Sequence, residues 1–429
     1  MTSAPEPELT ASRWLVRSGR PLSGTVRVSG MTKNAGLKQM AAALLAPGTT
    51  TIRNVARVSD LDIMIDVLRA MGAQVDWMGP DTLQLDTAGT LRPEAPYELV
   101  TRLRASINVL APLVARFGHA RVAMPGGDDI GNRRLDLHFA GLTAMGVEIE
   151  IVHGFIEARS DGLVGARVVL DYPSVGATEQ VLTAAVLAKG ETVIENAARE
   201  PEITALGAFL DRMGAHVIGA GSSTIHVDGV EELVPVETEL PGDRIEAGTL
   251  LIACGMAGGE IEVEGIRYDD LEIVARKLGE MGMKISPTIN GLWAYARDRL
   301  QAVDVATLPF PGFATDFMPP IVSLLTVSEG TGIVTENVFD NRFAFCHELK
   351  RMGADIRTEG RHVIVRGVPR LSGAPVRATD VRAGAAVVLA GLAADGETTV
   401  LDPHHIDRGY ADLPAKLAAL GADIQRVAD

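Results

Sequence analysis

Aromatic side chains are scarce in this chain: they make up 4% of 429 residues, so aliphatic and small residues must fill any core. Cysteine is scarcer still, with only Cys254 and Cys346, far apart in apolar stretches. Two such residues give no disulfide framework and no Cys/His metal spacing; they read as reduced core thiols of a cytoplasmic protein. No apolar run reaches the roughly 18 residues of a membrane span. The longest candidate, 383–394, reads as a small-residue core helix, and the polar segment 1–12 lacks the apolar centre of a signal peptide. Positive charge is also in deficit, with 40 Lys and Arg against 55 Asp and Glu, a net charge of −15. That balance argues against nucleic-acid or anionic-membrane partners. It leaves room for an anionic small molecule, because a local group of cations can dominate inside a cleft.

What the chain has in abundance is repetition. A helical stretch ending in Met-Gly-Ala or a close variant recurs at Gly72, Gly146, Gly214, Gly282, Gly353 and Gly421, at intervals of 74, 68, 68, 71 and 68 residues. A unit near 70 residues can hold a small α/β layer of its own. In the first unit an apolar helix at 37–45 leads through Gly48 into a strand. An amphipathic helix follows at 59–71, ended by Gly72, and two short strands at 74–77 and 82–85 flank a turn at 79–81. Gly-led strands at 190–194, 259–263, 330–334 and 396–400 repeat the theme. Interleaved helices and strands with mixed connections predict α/β units packed with helices inward, in two domains of three units each.

Five places interrupt the repeat with charged or glycine-rich residues. They are Lys33-Asn34, the segment 125–134, Pro173 to Thr178, Thr315-Asp316, and Asp380-Val381-Arg382 with 405–410. Most fall near helix starts, where free N–H groups and the dipole suit anions. Cations at 33, 104, 133, 342, 382 and 408 come from different repeats and would converge if the units closed around a cleft. Plainer readings stand beside these: Asp128 as a turn residue next to Gly126-Gly127, Asp316 as a helix N-cap, and His405 as a loop anchor. The glycine-rich loop lacks the Lys of a P-loop and follows no Rossmann pattern.

At these positions the chain resembles the UDP-N-acetylglucosamine 1-carboxyvinyltransferases, enolpyruvyl transferases related to 5-enolpyruvylshikimate-3-phosphate synthase. The resemblance is carried by Lys33-Asn34, Arg104-Ala105-Ser106, Pro-Gly-Gly-x-x-Ile-Gly-x-Arg with Asp136-Leu137-His138, and Pro-Ser-Val-Gly-Ala-Thr. Further on it runs through 195–202, 243–248, Phe313-Ala-Thr-Asp316, 336–343 and 405–410, spanning about 20–427. It implies a two-domain inside-out α/β barrel of six repeated βαβαββ-like units. Residues 1–32 and 242–429 would form one domain, and 33–241 the other, carrying a catalytic lid loop at 124–134.

The resemblance also implies a reaction without cofactor or metal. The 3′-hydroxyl of UDP-N-acetylglucosamine adds to C2 of phosphoenolpyruvate and phosphate leaves, opening peptidoglycan precursor synthesis. It places Asp316 near the hydroxyl, and Lys33, Arg133 and Arg408 on phosphate and carboxylate groups. Arg342, Asp380 and Arg382 would act in closure and in holding the intermediate. Asn34, Arg104, Arg133, Arg134, Leu135, Asp136, Leu137, Tyr172, Pro173, Ser174, Val175 and Val338 would contact substrate. Asp128 stands at the lid position usually filled by a cysteine acid, as in some family members. An aspartate there is expected to donate the proton to C3, and to escape alkylation by the epoxide fosfomycin, which needs the thiolate. Arg134 replaces the usual proline, Met318 the usual glutamine, and Gly30 to Lys33 is one residue longer than the usual Gly-Ala-Lys. Two alternatives follow: an enolpyruvyl transferase with another nucleotide acceptor, and a non-catalytic sugar-nucleotide-binding paralogue.

Overall fold

Six small sheets share one plan in the computed structural model, which describes residues 12–127, 131 and 134–428. In each, a central strand pairs in parallel with one edge strand and antiparallel with a third, which pairs antiparallel with the fourth. Thr49–Arg53, for instance, lies between Glu237–Glu239 (parallel) and Leu83–Asp86 (antiparallel), and Gln74–Trp77 closes the far edge. The sixth sheet departs from the plan in connectivity alone. Its third place is taken by the N-terminal strand Ser12–Arg17, inserted between Glu397–Leu401 and Asp423–Ala428. The next strand, Leu22–Arg27, supplies the parallel edge of the Gly259–Glu264 sheet. The strands Ser12–Arg17 and Leu22–Arg27 thus pair with strands of the later half.

The six recurring glycines end helices or their last turns and hold φ between 87° and 109°. A residue with a Cβ adopts that conformation only at a cost, so the motif is backbone geometry and not a cofactor site.

Helices face inward. Val381–Leu392 is buried along its whole length, and Arg244–Ala257 and Met318–Val327 nearly so. A helix apolar all round has no solvent face. Small residues let these three pack closely: a Cβ on Gly384 would lie 2.5 Å from Ile406 Cγ1. The other half buries Leu37–Ala42, Leu110–Phe117 and Val175–Ala185 in the same manner. The outer helices, such as Ser59–Ala70 and Pro201–Arg212, are amphipathic. Buried apolar residues accordingly form two clusters, one from Met31 to Leu240, the other from Trp14–Val28 together with Ile245–Ile424.

The chain passes between the halves twice, and the two passages lie side by side. Gly30 and Gly242 form an isolated antiparallel bridge, Met31 N donates to Pro241 O at 2.8 Å, and Asp243 N donates to Ser29 O at 2.8 Å. A Cβ on Gly30 would fall 1.7 Å from Asn54 O, so glycine is required at this crossing. Both cysteines are buried and free, and burial pushes each thiol up to about 12, which leaves them unreactive.

Candidate active site

The interface between the two halves gathers cations and carboxylates from separate units. Lys33 lies in a π-turn, Thr32–Gly36, that precedes an inner helix; such turns recur at functional sites. Its ammonium pairs with Asp60, a wholly buried carboxylate at the start of Ser59–Ala70. Across the interface Arg408 Nε donates to the other oxygen of Asp60 at 2.8 Å. Burial pushes the Asp60 carboxyl up, but Lys33 and Arg408 outweigh that and hold it below its usual range. One carboxylate therefore fixes two cations from opposite halves.

A second group stands beside the first. Arg342 Nη2 and Arg382 Nε each donate to one oxygen of Asp316 at 3.0 Å. Burial again opposes ionisation, and the two guanidinium groups hold the Asp316 carboxyl well below the usual carboxylate range. Arg342 Nη1 also donates to Thr315 Oγ1 at 2.7 Å, and Thr315 donates to the buried Glu336 at 2.7 Å. Glu336 accepts in addition from Thr307 Oγ1, Val338 N and Phe339 N, which fixes the 336–342 loop. Asp316 makes no cap hydrogen bond, so the N-cap reading fails. Asp380 is the residue that caps, accepting from Arg382 N at 2.9 Å and Ala383 N at 3.0 Å. The cap places Arg382 at the first turn of a fully buried helix.

Gly409 joins the two groups. A Cβ there would lie 3.0 Å from Lys33 Cδ and 3.6 Å from Arg382 Nη1. The Arg382 guanidinium is buried beside Tyr410, and only its Nε reaches a carboxylate, that of Asp316. Three cationic side chains, Lys33, Arg382 and Arg408, thus stand close together, a grouping that suits an oxyanion such as a carboxylate or phosphate.

The remaining candidates sit around this centre in different ways. Asn34 Nδ2 donates to Glu202 Oε1 at 3.5 Å, and Glu202 forms a bidentate buried pair with Arg244 of the other half, at 3.1 and 3.2 Å. Arg104 opens the turn Arg104–Val109 and faces His138, whose imidazole is lowered to about 4 by burial and by that charge. His138 lies against Gly176, where a Cβ would sit 2.6 Å from Nε2, so Arg104, 136–138 and 173–176 converge. Ser174 caps Val175–Ala185 by accepting from Ala177 N, with Pro173 just before it. Tyr172 is partly exposed; burial of its hydroxyl raises its pKa, and the charges of Glu200 and Glu336, one from each half, add to the rise. Arg134 and Asp136 are exposed and paired to each other at 2.7 Å. The Leu135 side chain is buried, and Leu137 is partly buried against the core. Asp128 and Arg133 lie outside the described residues; Gly131, between them, lies close to the backbone amides of Asp340 and Asn341 in the opposite half.

Asp60, Glu202, Arg244 and Glu336 were not singled out by sequence reasoning. Asp60 reads as an ordinary first-turn acid, and the other three fall within matched motifs that give no hint of cross-interface pairing. Among the described residues no group of three or more His, Cys, Asp or Glu is placed to hold a metal, and no helix is long and apolar enough to cross a membrane.

Comparison with known proteins agrees with this geometry. Residues 16–417 match the EPSP synthase (3-phosphoshikimate 1-carboxyvinyltransferase) family, and the chain belongs to it. Relatives named UDP-N-acetylglucosamine 1-carboxyvinyltransferase are 49% identical in Corynebacterium jeikeium, over 96% of this chain and 99% of that protein. In Mycolicibacterium paratuberculosis the figures are 49%, 97% and 100%. Among solved structures, the enolpyruvyl transferase NikO from Streptomyces tendae superposes with a TM-score of 0.87 at 27% identity, over 98% of this chain and 100% of that one. An EPSP synthase from Acinetobacter baumannii shares the fold, with a TM-score of 0.72, 18% identity, and coverage of 97% of this chain and 100% of that one. The chain is thus a transferase of the enolpyruvyl class with the two-domain α/β architecture.

Proposed function

We propose that this enzyme transfers the enolpyruvyl group of phosphoenolpyruvate to the 3′-hydroxyl of UDP-N-acetylglucosamine in the cytoplasm, releasing phosphate, with domain boundaries at the paired crossings near 30–32 and 241–243. The observation that carries the reading is the convergence of Lys33, Arg382 and Arg408, from both halves, around Gly409 and Asp60. These cations would hold the phosphate and carboxylate of phosphoenolpyruvate and stabilise charge as it develops. Asp128 would protonate C3 while the acceptor oxygen bonds to C2 and gives up its proton. Loss of a proton from C3 and departure of phosphate then restore the double bond. Asp316 is held ionised, so it orients the hydroxyl by accepting its hydrogen bond. It takes the proton as the oxygen bonds to C2 and becomes more acidic, provided substrate loosens one of the two guanidinium contacts. The approach of Gly131 to 340–341 supports the loop 124–134 as a lid closing against the other domain.

Arg134 supports a second reading, with a different nucleotide acceptor, because it places an exposed charge next to the proposed acceptor contacts. Phosphate release from phosphoenolpyruvate, screened over uridine nucleotides with and without N-acetylglucosamine, tests both. Release with UDP-N-acetylglucosamine is expected; release only with nucleotides lacking the sugar would favour the second reading, and none with any acceptor would remove both.

A further inference from the structure

Behind Lys33 and Asn34, buried polar groups from three units meet, and none takes part in the chemistry above. Lys38, on Leu37–Ala42, turns its ammonium back on the preceding turn and donates to Asn34 O at 3.0 Å and Lys33 O at 3.4 Å. In that π-turn Gly36 N reaches Met31 O at 3.0 Å, so the carbonyls lie off the regular helical ladder and take a side-chain donor. The counter-charge is Glu179 on Val175–Ala185, with Oε1 3.6 Å from Lys38 Nζ. Asn108 Nδ2 donates to Glu179 Oε2 at 3.2 Å, and Gln180 Nε2 donates to Asn108 Oδ1 at 3.3 Å and Ile107 O at 2.8 Å. The network ties the Lys33-Asn34 turn to the segment opened by Arg104.

We propose that Lys38 and Glu179 are positioning residues for enolpyruvyl transfer, their buried ion pair setting the turn that directs Lys33 and Asn34 into the cleft. The inference rests on reading Lys33 as a contact for the substrate's anionic groups.

Packing alone does not account for the pair. Glu179 is almost fully buried, and its Oε1 accepts no hydrogen bond from a described residue. The charged groups facing it are Lys38 and, from Pro201–Arg212, Glu202, with neutral Asn108 completing its surroundings. Burial pushes the carboxyl up to about 7, with Glu202 adding to the rise and Lys38 only partly opposing it. An ion pair with a gap and a missing hydrogen bond is commonly no more stable than an apolar pair of the same volume. What an apolar pair cannot do is hold two carbonyls of a π-turn in place. Displacement of that turn by a fraction of an ångström would move a cation off the reacting phosphate, and misplacement on that scale costs rate steeply.

The test uses Glu179→Gln, Lys38→Met and the conservative Lys38→Arg, with kinetics in phosphoenolpyruvate and melting curves between pH 6.5 and 8.5. Expected are a roughly 10-fold rise in KM for phosphoenolpyruvate with a smaller change in kcat for the first two variants, and substantial recovery in Lys38→Arg. Glu179→Gln should melt no lower than the parent at pH 8, because it removes a costly buried charge. The parent's KM should rise relative to that of Glu179→Gln as pH falls through about 7. Unchanged KM in both variants, or a loss of activity that tracks a loss of melting temperature, would overturn the proposal. Lys33→Ala is measured alongside. If it keeps the parent's KM, the anion-contact reading fails and this inference falls with it; if Lys33→Ala is impaired while Lys38→Met is not, only the inference falls.

Discussion

Asp316, partly exposed, and Glu179, almost fully buried, are both carboxylates paired with basic side chains, and they titrate in opposite directions. Each oxygen of Asp316 receives a guanidinium N–H at 3.0 Å, and its carboxyl is held well below its usual range. Glu179 has one ammonium at 3.6 Å and one amide donor, and its carboxyl is pushed up to about 7. Burial opposes ionisation in both cases. What differs is how many charged donors reach hydrogen-bonding distance, and in which geometry. The charge of each acid is therefore set by its exposure together with the number and geometry of its charged partners. Asp316 is kept ionised where the proposed reaction would orient a hydroxyl, whereas Glu179 sits near the point of change behind the turn that carries Lys33.

The largest effect should come from removing the charge of Asp316. Asp316→Asn is expected to lower turnover by ~10²-fold or more. Because Arg342 and Arg382 are nearly fully buried, their charges would be left facing an amide. Melting should therefore fall as well, toward the roughly 3–5 kcal/mol seen when one partner of a buried pair is removed. Steady-state rates and melting curves on one preparation check both; a variant that is less stable yet turns over normally would make Asp316 structural only. Asp60→Asn should come next, with kcat/KM for phosphoenolpyruvate lowered about 10-fold, since Lys33 and Arg408 lose the anion that spaces them. Gly409→Ala should be milder, a few-fold in KM for phosphoenolpyruvate, because the new methyl would lie 2.7 Å from Val381 Cγ1 and 3.0 Å from Lys33 Cδ. An unchanged KM there would show that Lys33 swings aside without consequence.

Much of this arrangement was legible in the chain before any coordinates. Six glycines at near-constant spacing disclosed six units, and apolar stretches such as 383–394 disclosed inward helices, because both are local signals of backbone geometry and burial. The cations at 33, 342, 382 and 408 stood out as interruptions of that pattern. Their pairing did not. Asp60 and Arg408 are 348 positions apart, and Glu202 and Arg244 are 42 apart across an interface. No spacing rule links residues whose only relation is that two three-unit barrels face each other. Lys38 was hidden for a different reason: on a helical wheel a lone lysine reads as solvated, and only the π-turn before it supplies carbonyls for it to hold.

The last test sharpens the opening comparison most directly, because the two acids should leave opposite marks on stability as pH changes. Glu179 has a folded-state value raised from 4.5 to about 7. Its contribution to stability is complete below pH ~4.5 and is lost as pH rises through about 7, by a total of order 3 kcal/mol. Asp316 has a depressed folded-state value, so its contribution is present above its unfolded value near 3.8 and is lost as pH falls below that. Subtracting the melting profile of Glu179→Gln from that of the parent isolates the first term. The difference should be near zero at pH 4.5 and should favour the variant increasingly up to about pH 7.5. The corresponding subtraction for Asp316→Asn should be flat across that window and change only in acid. A Glu179→Gln profile parallel to the parent's from pH 4.5 to 7.5 would mean that Glu179 stays ionised throughout, and that its single ammonium at 3.6 Å serves it as well as two guanidinium groups serve Asp316.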